Sequence, residues 1–307
     1  MINGFLADLL LGQQTGIQAQ VEIFLESMPP AGADAEALYI MWGGGNDLRG
    51  ATSPAAATTA VENLTRNIRS LAAAGAQQFL VPNLPNLGRT PESIGQGEAA
   101  VALAETISLA FNDELSAALL LVAEQLSLDI AQLDTFTILE RAIAFPAYYG
   151  LTNVTEPCPD PDSSCPGYLF WDDIHPTTAA HAALGHRAME LLRGPRAGDM
   201  DGDIDVDFDD IDDFVLGLAD QLFYEAVYGA PPSFRGDLDG DGDLDFDDIP
   251  GFVAVLTSGH TAPARGAPQP TPEPSTLCLA GLAALGLGLL QSRQASRTSS
   301  PHPVRNR

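Results

Sequence analysis

Basic residues are scarce: Lys and Arg together number 14 against 41 Asp and Glu, a net charge of −27 over 307 residues. Phosphate recognition depends on those cations, so nucleic acid is disfavoured as a partner. Cysteine is nearly absent, at three residues, and no CxxC pair or neighbouring His cluster accompanies them. A thiolate metal site is therefore not indicated. A long apolar run is also missing. The stretch Leu277–Leu290 holds fourteen apolar or small residues, short of the roughly 20 that an ordinary spanning helix requires. Finally, Met1–Gly12 lacks a basic residue and contains Asp8, which does not fit a signal peptide.

Hydrophobic residues make up 45% and charged residues 18%, a balance that favours folding over disorder. The acidic charge is concentrated. Nine Asp lie between Asp199 and Asp213 and seven between Asp237 and Asp248. A solvated surface spreads its charge, whereas a cation site gathers it. Cys158 and Cys165 bracket a loop rich in Pro, Asp and Ser. So close a pair suggests a local disulfide and an oxidising compartment; two free thiols are the alternative.

Periodicity outlines an α/β domain. Ile17, Val21, Phe24 and Leu25 have helical spacing within 16–27. Short apolar runs at 37–42, 78–82 and 128–133 read as buried strands. Ser53-Pro54 starts a helix ending near Ala74, a long helix is expected over 91–126, and another over 177–192. This alternation argues a parallel sheet covered by helices. Residues 194–198 and 261–271 are linkers by composition.

Two short motifs carry chemistry. Gly44-Gly45-Asn46-Asp47 follows the first predicted strand, where α/β proteins place their sites. Asn46 can offer its amide to an oxyanion, or the glycines simply make a turn. Asp172-Asp173-Ile174-His175 sets a carboxylate three residues before a histidine, the acid and base of a nucleophilic triad. Either motif alone is common by chance.

Together, LYIMWGGGNDL and GYLFWDDIHPTTAAHAALG resemble the GxND and final DxxH blocks of the GDSL/SGNH ester hydrolases. The resemblance spans about 16–193 and is to the branch of secreted phospholipases, lecithinase-like hemolysins and autotransporter esterases. It implies a three-layer, flavodoxin-like α/β fold over 1–193, an ester substrate and a Ser-His-Asp triad. Asn46 would be the oxyanion donor, with Gly44 in its motif, His175 the general base and Asp172 its orienting carboxylate, in preference to Asp173. The family's serine block and its glycine-bearing second block have no counterpart. Ser27, Ser53 and Ser93 stand in the wrong contexts. The expectation is a domain lacking its first strands, with an exposed apolar edge at 37–42 and no activity by itself.

The Asp-rich segment 199–260 resembles a small all-α, EF-hand-like dockerin module. Asp199, Asp201, Asp203, Asp207 and Asp210 fall at positions 1, 3, 5, 9 and 12 of a calcium loop, with Asp205 at 7. Asp237, Asp239, Asp241, Asp245, Asp248 and Asp243 repeat that register. Gly242 fills position 6 of the second loop, but Ile204 fills it in the first. The resemblance implies structural Ca²⁺ and a cohesin-like partner; the alternative to an ester hydrolase is a non-catalytic, calcium-dependent surface or adhesion module, or a scaffold-docking protein. Pro272-Glu273-Pro274, the apolar run, and Arg293 and Arg297 resemble a PEP-CTERM sorting signal over 272–297, followed by a tail at 298–307. That implies an exosortase-type sorting protease, a C-terminal hydrophobic helix and an extracytoplasmic, transiently membrane-anchored protein. Export features without a signal peptide are reconciled most simply if the start is missing.

Overall fold

In a computed structural model of the chain, residues 16–160 and 165–258 are described. Cys278, the linker at 261–271, the sorting segment at 272–297 and the tail at 298–307 lie outside the described residues.

The α/β part opens with α1 (Ile17–Ser27) and β1 (Leu38–Ile40). A single helical turn, α2 (Gly45–Leu48), stands where the glycine run suggested a loop. Then come α3 (Ala56–Ala73), the central strand β2 (Gln78–Pro82), α4 (Pro91–Gln96) and α5 (Glu98–Leu126). The single helix expected over 91–126 is thus two. Gly97, at φ 96°, ends the first and starts the second, a conformation that only glycine adopts freely. Next come β3 (Asp129–Leu133) and α6 (Thr135–Ala144), a helix absent from the sequence reading.

The sheet order is β1-β2-β3, all parallel, with Leu38 opposite Gln78 and Gln78 opposite Asp129. Phe79, Leu80 and Val81 on the middle strand are all buried, because helices cover both of its faces. Val61, Leu64, Ile68 and Leu71 line the buried face of α3, and Ile107, Phe111, Leu115 and Val122 that of α5. Among the described residues β1 pairs only with β2, and Ile40 is 62% exposed. Within 37–42, Leu38, Ile40 and Trp42 are exposed while Met41 is buried.

A second pair of strands, β4 (Asn153–Pro157) and β5 (Tyr168–Phe170), runs parallel. The Cys158–Cys165 disulfide closes the connection, with Cα atoms 5.7 Å apart. The last α/β helix, α7 (Thr178–Arg193), follows.

Residues 199–258 contain only helices as regular structure: α8 (Asp210–Ala219), α9 (Gln221–Tyr228), α10 (Ser233–Gly236) and α11 (Ile249–Ser258). Their core includes Met200, Phe214, Tyr224, Val227, Leu244 and Phe252. Phe214 and Phe252, each fifteen residues into its repeat, stack at 4.2 Å. The module belongs to the same compact unit as the α/β part.

Candidate active site and Asp-rich loops

The turn between β5 and α7 is built around one carboxylate. Oδ1 of Asp172 accepts from the backbone N–H groups of Ile174 (2.8 Å) and His175 (2.6 Å). Its Oδ2 lies 2.7 Å from Nδ1 of His175. Burial pushes the Asp172 carboxyl up, but the His175 ring and the two N–H groups outweigh it and hold the carboxyl below its ordinary value. The carboxylate is then an acceptor only, so Nδ1 carries the proton and Nε2 is left as the base. Nε2 has no hydrogen bond among the described residues. Among the described residues the ring's carboxylate partner is Asp172 and not Asp173, whose backbone oxygen accepts from Glu92 N–H at 2.9 Å.

That bond links the two motifs. Glu92, on α4, takes Arg49 in a forked ion pair at 2.6–3.2 Å, and Arg49 directly follows α2. The guanidinium also feels Asp172 and Asp173. α4 therefore clips the helix turn that bears Asn46 to the turn that bears His175. Neither Arg49 nor Glu92 was singled out in the sequence, because neither lies in a motif. The Asn46 side chain is exposed, which leaves its amide open to a ligand.

An apolar cleft of about 110 Å³ lies beside the dyad, walled by Trp42, Leu139, Leu169, Leu184 and both neighbours of His175, Ile174 and Pro176. His181 sets its ring edge-to-face against Trp42, and burial holds it below its ordinary value.

This geometry accompanies clear sequence relationships. The profile of the family described as GDSL-like Lipase/Acylhydrolase matches residues 7–188. The chain belongs to that family. The PEP-CTERM protein-sorting motif matches residues 270–294. The chain is 31% identical over 186 residues to an uncharacterized protein from the trpE-trpG intergenic region of Pseudomonas putida, covering 53% of this chain and 30% of that protein. It is 31% identical over 199 residues to esterase EstA of Pseudomonas aeruginosa, covering 53% and 27%. Against the thermolabile hemolysin of Vibrio parahaemolyticus identity is 25% over 136 residues, covering 38% and 32%. The chain thus spans about a third of the length of these curated relatives.

The two Asp-rich loops share one internal bonding pattern. Asp210 accepts from the N–H groups of Met200, Asp201 (3.1 Å) and Asp207 (2.9 Å). Asp248 accepts in the same way from Leu238 (2.6 Å), Asp239 (3.1 Å) and Asp245 (2.9 Å). Asp199 takes the N–H of Ile204 and Asp237 that of Gly242, both at 3.1 Å. Carboxylate oxygens of Asp199, Asp201 and Asp203 come within 4.8 Å of one another, without Asp205, Asp207 or Asp210. In the second loop the groups are Asp237, Asp239, Asp248 and Asp243, Asp245, Asp248, without Asp241. Such oxygen-only donor sets suit a hard divalent cation. Burial, followed by the neighbouring Asp203, Asp210 and Asp199, pushes the Asp201 carboxyl up to about 7. Burial likewise pushes Asp210 up to about 7, against its backbone donors.

The loops differ at their sixth position. Ile204 has φ 81° and Gly242 φ 107°. A β-branched residue in this region is strained, typically by about 1–3 kcal/mol. Ile204→Gly is therefore expected to stabilise the chain in chelator by about 1 kcal/mol, after the added chain entropy of glycine. A urea midpoint measured with chelator present, unchanged or lowered, would contradict this.

Proposed function

We propose that this chain carries the acid–base half of an extracytoplasmic carboxylic ester hydrolase. The observation that carries this reading is the Asp172–His175 pair, bonded through Nδ1 with Nε2 unbonded among the described residues, in a chain of the GDSL-like family. In the reaction, His175 Nε2 would take the proton of a serine hydroxyl and return it to the leaving alcohol. Asp172 would hold the tautomer and stabilise the imidazolium, and the Asn46 amide would donate to the oxyanion of the tetrahedral intermediate. The cleft beside His175 would take the acyl or alcohol group of a lipid or an acetylated polysaccharide. No serine hydroxyl bonds to His175 among the described residues, so the 307-residue chain alone is expected to be inert.

Two assays test this. The purified chain should not react with a fluorophosphonate probe; a labelled serine, with labelling lost on His175→Ala, would refute its inertness. Fusing a family member's N-terminal segment, with its serine block and its glycine-bearing second block, ahead of residue 16 should then restore hydrolysis of a p-nitrophenyl ester. His175→Ala should remove at least about 10³-fold of that rate, because triad members act as a unit. A fused chain whose rate is indifferent to His175 would end the reading.

The Asp-rich module is read as a calcium-binding pair. The supporting feature is the repeated bonding of Asp210 and Asp248 around clustered carboxylates. The sorting motif at 270–294 supports processing by an exosortase-type protease at the cell envelope. One observation favours a second role, docking to a cohesin-like partner. Phe208 and Phe246, at the tenth place of each repeat, are 78% and 76% exposed. Calcium-dependent binding to an immobilised cohesin module, lost when both are changed to Asp, would support it, and no binding in calcium would dismiss it.

A further inference from the structure

Residues 199–258 contain one basic residue, Arg235, among many carboxylates. Its side chain is 1% exposed. The two strongest bonds it makes lead out of the module. Nε and Nη2 reach the two carboxylate oxygens of Glu190 on α7, at 2.7 and 2.9 Å. Arg187 holds the same carboxylate at 2.7 Å. On its other side, Arg235 Nη1 donates to the Tyr224 hydroxyl at 3.0 Å, and that hydroxyl donates to Met200 O at 2.6 Å. The Met200 N–H in turn donates to Asp210, the last carboxylate of the first loop. An unbroken line of hydrogen bonds thus runs from a cation loop to the helix that begins just after His175.

A second contact lies beside it. Phe145 and Tyr148, at the end of α6, set their rings against Phe223 at 5.6 and 6.0 Å. Tyr149 donates its hydroxyl to Val227 O at 3.1 Å, and its side chain also walls the cleft beside the dyad. Even the segment 194–198, a linker by composition, is folded in: Ala197 is buried and Gly198 N–H donates to Arg235 O at 2.8 Å.

We propose that the Asp-rich module is a cation-operated clamp on the α/β domain: a divalent cation held by Asp199, Asp201 and Asp203 orders the first loop, whose Met200 and Asp201 N–H groups Asp210 holds, and through Met200, Tyr224 and Arg235 locks α7 and the cleft wall. This rests on the calcium reading above and goes beyond it, because a tethered docking module has no need of such a line. A ligand that binds only the folded state stabilises whatever unfolds with its site. Buried, bidentate Arg–carboxylate pairs are geometrically demanding, and they transmit position as well as charge.

The chain supplies its own reporter. Both tryptophans, Trp42 and Trp171, lie in the α/β domain and none lies in the module. Thermal unfolding of the full chain would be followed by tryptophan fluorescence, in calcium and in chelator, with calcium binding measured separately by calorimetry. Calcium at about 100-fold over its dissociation constant is expected to raise the tryptophan transition by roughly 5–10 °C. In Glu190→Gln calcium should still bind, but most of that shift should vanish. Tyr149→Phe, a milder change at the other contact, should shrink the shift and leave the fold intact. Calcium binding with an unmoved tryptophan transition in the native chain would overturn the clamp and leave the calcium reading standing. An absence of calcium binding would bring down both.

Discussion

Glu190→Ala is expected to destabilise the chain by about 3–5 kcal/mol, the usual cost of stripping a buried charge of its partner. Arg235 is enclosed by Tyr224, Tyr228 and Phe234, and Ala at 190 would leave its guanidinium with one neutral acceptor. The reverse truncation should cost less. In Arg235→Met, Glu190 keeps Arg187 and has a side chain that is 19% exposed, so water can reach the orphaned carboxylate. Urea unfolding of the two variants, with Glu190→Ala the less stable, tests this asymmetry; equal losses would mean that the pair is not buried as described. Acid should instead bring the native chain toward Glu190→Ala, because protonating Glu190 strips Arg235 of its partner just as the truncation does. Burial pushes the Glu190 carboxyl up, yet Arg235 and Arg187 overcome it and leave it below its ordinary value. A lowered carboxylate contributes stability above its unfolded pKa of about 4.3 and loses it as the pH falls through the lowered folded value. The stabilities of the native chain and of Glu190→Ala should therefore converge as the pH falls through that lowered folded value.

Much of this molecule was legible in its residues, for identifiable reasons. The central strand reads as an apolar run, Phe79-Leu80-Val81, because both of its faces are covered. The DxxH spacing is readable because one Asp side chain can satisfy two backbone donors and the ring of a His three residues on. What escaped was set by tertiary contacts. The helix at Thr135–Ala144 begins at Asp134, whose side chain caps Thr137 N–H and also binds Asn83 from the end of β2. The parallel β4–β5 pair is held by only a few residues and has no alternating pattern. Arg235 left a faint signal, a single cation in an acidic module, but its partner lies 45 residues away on another element. Glu92 and Arg49 are likewise 43 residues apart. Local spacing cannot foresee pairs of this kind.

The same contrast between local chemistry and distant packing decides the second large effect, at Gly44. The motif reading asked only that the loop be tight; the structure adds that Gly44 has φ 107° and faces α5. A Cβ there would stand 2.6 Å from two ring carbons of Phe111, which is fully buried. Both penalties act together, a left-handed backbone on a residue with a side chain and a collision with a ring that has nowhere to go. Gly44→Ala is accordingly expected to cost about 2–4 kcal/mol. Gly45→Ala is the control, since its Cβ would meet only Leu84 at an ordinary 3.7 Å, with no positive φ. Urea midpoints should separate the two neighbours clearly. Gly44 is also the residue before α2, and its carbonyl accepts from Leu48 N–H at 3.1 Å, so displacing it would turn Asn46 away from its present direction. In the serine-restored fusion, Gly44→Ala should thus lower the turnover rate even at temperatures where the fold survives, whereas Gly45→Ala should not. A Gly44→Ala chain as stable and as active as Gly45→Ala would mean that the Asn46 turn is not held by Phe111, and the oxyanion role assigned to Asn46 would lose its geometric basis.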